Sequence, residues 1–376
     1  RGPASVTNSR VVIRATNPWR PVAGDGESAL YVSDLENAEL TYEKKHELNI
    51  GAAFGFFDNR INIEADWYKR NNYDLIGPVT TQGIGGQVIK FGNVASMQSS
   101  GVEFTLSTVN INQKNFKWTT DFIYSHAQNR VTDLDNQQRV IDLVAGTGFA
   151  LEGYPVRSVF SIPFKGLNDE GIPTFLDQDG NVTTTGIYFQ ERDKIDFLEY
   201  SGTADPTDFG SFGNTFQWKG LKLNVFLTYS FGNVVRLDPV FSRSYSDLDA
   251  MPKEFGNRWV VPGDENVTDI PVISSRMQNF NDSQLSYAYN AYNYSSARIA
   301  KGDFIRLKEV SLSYDFPQKW VKAMKMNSLS LKVQGTNLAL LYADKKLNGQ
   351  DPEFFNTGGV ATPLPKQFTV TLRIGL

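Results

Sequence analysis

The feature that most constrains this chain is a strict alternation of apolar with small or polar residues, repeated in run after run. In 47–56, Leu48, Ile50, Ala52, Phe54 and Phe56 alternate with Glu47, Asn49, Gly51, Ala53 and Gly55. Period two puts successive side chains on opposite faces of a strand, so each run predicts a strand with one apolar face. Asp58-Asn59 marks a tight turn, and 61–68 resumes with Ile61, Ile63, Ala65 and Trp67 against Asn62, Glu64, Asp66 and Tyr68. The two runs read as a hairpin. The pattern returns in Val102, Phe104 and Leu106, in Trp118, Thr120, Phe122 and Tyr124, and in 212–218 and 221–231. It recurs in Val310, Leu312 and Tyr314, in Leu329, Leu331 and Val333, and from Phe368 to Leu376.

Runs of about ten residues suit a tilted bilayer crossing by β-strands. The links between them are unequal. Short links fall at 58–59, 110–115 and 219–220, whereas 72–99, 126–208, 232–303 and 338–366 are long and rich in Asn, Asp, Gly, Tyr and Pro. Transmembrane barrels carry short turns on the periplasmic side and long loops outside. Strands entering the links at 110 and 219 both run inward, so 126–208 crosses the membrane an even number of times. Its best strand candidate, 154–164, holds Pro155 and Pro163, which argues for no crossing. With a weak strand around Val11 and Ile13, roughly ten strands are expected. Residues 1–40 read as a partial strand and external loop, and 41–376 as barrel with long external loops.

Composition removes other classes. Aromatics make up 13% of the 376 residues, yet no stretch approaches the roughly 20 consecutive apolar residues of a transmembrane helix. Lys and Arg number 37 against 41 Asp and Glu, with no basic tract to follow a phosphate backbone, so nucleic acid is not an expected partner. There is no Cys, and only His46 and His126 are available, which leaves no thiolate site and little His-based metal or acid-base chemistry. No catalytic constellation, cofactor or metal site is read from the sequence. A soluble antiparallel sandwich also alternates. It would have to bury Glu64, Asp66, Glu103 and Asp121 or expose the aromatics, whereas a barrel turns those carboxylates toward a wet lumen.

Several phrases, in order, resemble the SusC/RagA-like family of TonB-dependent outer-membrane transporters. They include Leu40-Thr41-Tyr42-Glu43-Lys44-Lys45, Phe56-Phe57-Asp58-Asn59-Arg60-Ile61, Asp66-Trp67-Tyr68-Lys69-Arg70, Gly92-Asn93-Val94 and Gly101-Val102-Glu103. Further on come Gly166-Leu167-Asn168, Asp177-Gln178-Asp179-Gly180, Phe304-Ile305-Arg306-Leu307-Lys308, Gly335-Thr336-Asn337-Leu338, Asp351-Pro352-Glu353 and Pro363-Leu364-Pro365. The resemblance implies a 22-stranded barrel closed by an N-terminal plug, of which this chain matches about the last ten strands. It also implies energy coupling through TonB, a SusD-like surface lipoprotein as lid, and import of bulky nutrients, glycans or oligopeptides. No plug or TonB box is recognised in the chain, so an N-terminal half is an expected partner, together with membrane lipids. Leu376 departs from the terminal aromatic usual in such barrels. The alternatives are a passive porin or secretion-linked barrel and a soluble carbohydrate-binding β-protein.

Some residues invite site assignments. Tyr287, Tyr289, Tyr292 and Tyr294, with Asn290 and Asn293, form an aromatic and amide cluster suited to glycans, peptides or a lid, and Trp259 reads the same way. A loop packing on itself explains them equally well. Asp177, Asp179, Gly180 and Asn181 resemble half a calcium loop without its distal Glu, and read as a polar turn. Asp133 and Asp135 read as solvated loop carboxylates, and 320–324 as a short amphipathic helix on the periplasmic side.

Overall fold

A computed structural model describes residues 11–16, 29–34, 36–37, 40–80, 89–239, 253–273, 285–355 and 365–375. Leu376, Pro363 and Leu364 lie outside them. The framework is one antiparallel sheet of nine strands: β3 (Lys44–Phe56), β4 (Ile61–Thr80), β5 (Ile89–Gln113), β6 (Phe116–Leu134), β12 (Asp208–Trp218), β13 (Leu221–Phe231), β16 (Phe304–Asp315), β17 (Ser328–Ala343) and β18 (Gln367–Gly375). Each strand pairs with its neighbour in this order, so β6 lies directly against β12 and 135–207 adds nothing to the sheet.

The register aligns the alternations of all nine strands. One continuous row runs Phe54, Ile63, Leu106, Phe122, Phe212, Leu227, and the next sets Leu223 beside Leu312, Val333 and Val370. This face is mainly apolar, interrupted by Thr108, Thr120 and Asn214 in one row, and nothing among the described residues covers it. Leu48, Ile50, Phe54, Leu312, Leu372 and Ile374 all remain exposed. A sandwich would bury such a face under a second sheet, so a bare apolar surface on this scale marks contact with lipid. Aromatic side chains collect toward its two ends. Trp118 stacks on Phe216 near the short turns, and Phe231 meets Tyr342 at the far end. These are the girdle positions where an aromatic body meets hydrocarbon and its polar edge meets water.

The short turns are tight. Phe57, Asp58 and Asn59 all take positive φ in the β3–β4 turn, as does Lys219 between β12 and β13. The β5–β6 turn is shorter than the expected 110–115 link, because both strands continue to Gln113 and Phe116. Between β16 and β17, at the same end, α3 (Gln318–Ala323) forms the expected short helix, with Val321 buried and Trp320 exposed.

Two expectations change. The segment read as a loop over 72–99 is strand for much of its length, since β4 reaches Thr80 and β5 starts at Ile89, and the one read over 338–366 begins as strand, since β17 runs to Ala343. The hairpin continues past the hydrophobic band because backbone pairing does not require apolar side chains, as Asn71 opposite Gln98 shows. The strand at Val11 and Ile13 exists as β1 (Val12–Thr16), but it pairs with β2 (Ala29–Asp34) and not with the large sheet. The sheet has nine strands among the described residues, in keeping with the roughly ten expected.

The remaining elements lie at the long-loop end. They are α1 (Val140–Leu143), β7 (Ser158–Ser161), β8 (Phe164–Leu167), β9 (Pro173–Leu176), β10 (Val182–Thr183), β11 (Glu199–Thr203), β14 (Val234–Arg236), α2 (Leu285–Asn293) and β15 (Ile299–Lys301). The candidate strand 154–164 becomes β7 and the start of β8, with Pro163 between them. One hydrophobic core joins these elements across the two loops: Val140, Leu143, Phe160, Ile162 and Phe175 from one pack with Phe255, Ala291 and Tyr292 from the other. We call this unit the cap.

Candidate functional site

The polar face of the large sheet opposes the apolar one, and the alternation that fixes one fixes the other. Asp66 lies opposite Glu103, Glu64 opposite Thr105, and Asp121 opposite Ser107, whose hydroxyl donates to Asp121 Oδ1 at 2.8 Å. All four carboxylates named from the sequence thus fall on this face. Beside them, Arg70 Nε donates to Glu47 Oε1 at 2.8 Å, Lys45 also pairs with Glu47, and the Arg70 guanidinium sits 4.2 Å from the centre of the Tyr68 ring. The Tyr68 ring lies against Gly101, where a Cβ would collide with it. Further round the sheet, β13, β16, β17 and β18 enclose a hollow of about 770 Å³ lined mainly by hydroxyls, amides and charged groups.

The cap is held by buried arginines. Arg236 is buried between the loops, and its guanidinium donates to Phe160 O at 2.7 Å, Ser295 O at 3.1 Å and Ser161 Oγ at 3.0 Å. Burial lowers its pKa to about 10, with no carboxylate paired to it among the described residues. Arg298 pairs with Glu254 at 2.7 Å and donates to Asp238 O at 2.6 Å. Arg306, on β16, pairs with Asp351 at 2.5 Å and Glu353 at 3.1 Å, tying the sheet to the segment that follows β17. Composition gave no signal for these three residues, since each cation is matched to carbonyls and carboxylates distant in sequence.

The tyrosine cluster divides. The segment expected as loop is helix α2, whose periodicity turns Tyr289 and Tyr292 inward. Tyr292 is 1% exposed, and burial pushes its phenol up to about 12. Tyr289 is 2% exposed and donates to Val272 O at 2.5 Å. Tyr294 packs on the same core, its ring edge-on to Phe189. Tyr287 alone of the four is open to solvent, at 58%. Trp259 is likewise buried, its face against Gly171 and its indole N–H donating to Glu265 Oε2 at 2.9 Å. Burial removes the rings of Tyr289, Tyr292 and Trp259 from an incoming partner's reach, for they are core residues of the cap.

Asp177 and Asp179 are used internally. Asp177 Oδ1 accepts the backbone N–H groups of Asp179 and Asn181, and Asp179 pairs with Lys194 at 2.6 Å. Asp133 is not in a loop but in β6, opposite Ser96. Asp135 follows that strand and donates its backbone N–H to Val94 O.

A sheet with one lipid-facing side, one polar side, tight turns at one end and a folded cap at the other is the wall of an outer-membrane β-barrel. No family model matches the chain. It is 25% identical over 369 residues to TonB-dependent receptor P3 of Formosa agariphila, a match spanning 94% of this chain and 35% of that protein. To TonB-dependent receptor SusC of Bacteroides thetaiotaomicron it is 24% identical, over 90% of this chain and 32% of SusC. Among solved structures, the RagAB peptide transporter superposes with a TM-score of 0.75 at 23% identity, covering 98% of this chain and 39% of that one. The chain is thus similar to TonB-dependent receptors, SusC among them, and shares the fold of the RagAB transporter as part of an outer-membrane barrel. The chain spans about a third of the length of the curated relatives it matches.

Proposed function

We propose that this chain is the C-terminal part of the barrel wall of an active importer of bulky nutrients, glycans or oligopeptides. The observation that carries the reading is the register itself, which keeps an uncovered apolar face and a polar face apart across nine strands. The polar face, with Glu64, Asp66, Glu103 and Asp121, then lines the lumen. The rest of the barrel and its plug complete the wall, because β3 and β18 each leave an edge whose backbone groups have no partner in lipid. Uptake is driven through TonB, and a SusD-like lipoprotein covers the outer mouth beside the cap, where Tyr287 is the exposed ring of the cluster.

Uptake of labelled oligosaccharides and oligopeptides should be compared in cells with the complete gene, without it, and without TonB. Uptake that needs the gene and TonB fits the proposal. Uptake that survives loss of TonB points to a passive porin instead.

A further inference from the structure

Three links stand side by side at the short-turn end of the wall: the β5–β6 turn, the β12–β13 turn and the segment that carries α3. The Lys219 N–H donates to Asn115 O at 3.0 Å and the Asp315 N–H to Gly220 O at 2.9 Å, so each link touches the next. Their charge is of one sign. Residues 109–119, 215–224 and 316–334 contain no Asp or Glu, whereas Lys114 and Lys219 sit in the two turns and Lys319, Lys322 and Lys325 on or beside α3. All five lysines are exposed, and none has an ion-pair partner among the described residues. The adjoining carboxylate, Asp315, lies on the opposite, polar face and lines the hollow there. The β3–β4 turn sets Asp58 against Arg60 and adds no net charge.

The lipid-facing side of the sheet runs into the same links. Tyr314 meets Phe316 edge-on with ring centres 5.0 Å apart, and Phe316 meets Trp320 at 6.4 Å, which carries the apolar surface of β16 onto α3. Met324 follows one helical turn after Trp320 and shares its side; both are exposed, while Val321 is buried. Trp218 repeats the arrangement, exposed on the same side with the Lys219 ammonium 5.1 Å from its ring centre. None of the strands involved is an edge strand, so further strands that close the barrel leave this outer surface bare. Indole rings settle at the level of lipid headgroups, and cations beside them attract anionic lipid. We propose that α3 and the two turns beside it bind anionic phospholipids of the periplasmic leaflet. Trp320, Met324 and Trp218 sit at the acyl ester level, and the five lysines reach the charged headgroups with their stems along the apolar surface. The site is on the outside of the wall and does not depend on what passes through the barrel.

The test uses the complete transporter in phosphatidylcholine vesicles, with a fluorophore on Met324→Cys to report which lipids lie beside α3. A small share of the lipid carries a nitroxide near its acyl ester and is either phosphatidylglycerol or phosphatidylcholine. At low salt and equal content, labelled phosphatidylglycerol should quench the fluorophore several-fold more effectively than labelled phosphatidylcholine, and added salt should shrink the difference. Changing Lys114, Lys219, Lys319, Lys322 and Lys325 together to Gln should remove the difference and leave quenching by phosphatidylcholine in place. The same five changes to Arg should keep it. The heat-induced shift in electrophoretic mobility checks that each barrel is folded. The comparison of the two lipids and its salt dependence are read on the protein with all its lysines, so a Gln variant that fails to fold leaves the test standing. Equal quenching by the two lipids overturns the proposal. Quenching by neither places α3 off the membrane, against water or a second protein, and overturns it as well.

Discussion

Leu312 and Ser313 are consecutive residues that face opposite surroundings. Leu312 sits between Leu223 and Val333 on the apolar face, and Ser313 between Lys222 and Lys332 on the polar one. Leu312→Arg should therefore cost about 2–4 kcal/mol near the bilayer midplane, while Ser313→Arg costs much less. The yield of folded barrel reads the difference. A lipid-dissolved probe should label a Cys at 312 and miss one at 313, and the reverse pattern would reverse the orientation of the wall.

Tyr287 and Tyr292 share helix α2 and should respond differently. Tyr292→Ala empties a fully buried site and should destabilise the cap by roughly 3–5 kcal/mol, as large aromatic truncations do. Protease cutting within 135–207 should rise while the barrel stays intact. Tyr287→Ala should leave cutting unchanged and lower lid association or uptake. Unaltered uptake and lid binding would make Tyr287 an ordinary surface ring.

Gly210 gives Tyr229 its place. The Tyr229 hydroxyl donates to Ile123 O at 2.9 Å across the position where a Gly210 side chain would stand. Gly210→Ala puts a methyl against both that hydroxyl and the Ile123 carbonyl, so it should reduce the folded fraction in urea titration. Tyr229→Phe removes only the hydrogen bond and should cost about 0.5–1.5 kcal/mol. If the alanine variant proves as stable as the parent, the close approach at Gly210 is wrong.

Acid should loosen the cap first at the turn beside Trp259. Asp264 accepts the backbone N–H groups of Val261 and Val260, and Glu265 accepts from the Trp259 indole and from Gly263, which holds both carboxyls below their ordinary range. A carboxyl whose folded pKa is depressed stabilises above its unfolded pKa. That stabilisation is lost as pH falls through the folded value. The indole N–H signal of Trp259 should therefore exchange faster below about pH 4 in the native protein. Glu265→Gln should show fast exchange already at neutral pH, and slow exchange there would dissociate the carboxylate from the turn.

The sheet was legible because its signal is local and doubled. Leu48 to Phe56 alternate without a break, and the pairing of β3 with β4 adds a second copy of the same pattern. The faces of Glu64, Asp66, Glu103 and Asp121 followed from parity alone. Strand lengths did not, because beyond the apolar band both faces are polar and Asn71, Asn72, Ser99 and Ser100 look like loop. The cap was illegible for another reason. Its ties join residues far apart, as where Phe164 N–H donates to Ser296 Oγ, and the inward turn of Tyr292 depends on a helix of nine residues.

The cap is built from two lengths of chain with the β12–β13 hairpin between them. Neither length holds the whole core, since Phe255, Ala291 and Tyr292 come from the second and Phe160 and Phe175 from the first. It cannot, then, be delivered across the membrane as a finished domain. Each part has to reach the cell exterior while still unfolded, and the two meet only after the hairpin that separates them has been inserted. The order of assembly is written into the connectivity: membrane first, cap second. Loop closure of this span is slow relative to local pairing. A barrel newly inserted in the outer membrane should thus pass through an interval in which its wall is complete and its mouth is still uncovered.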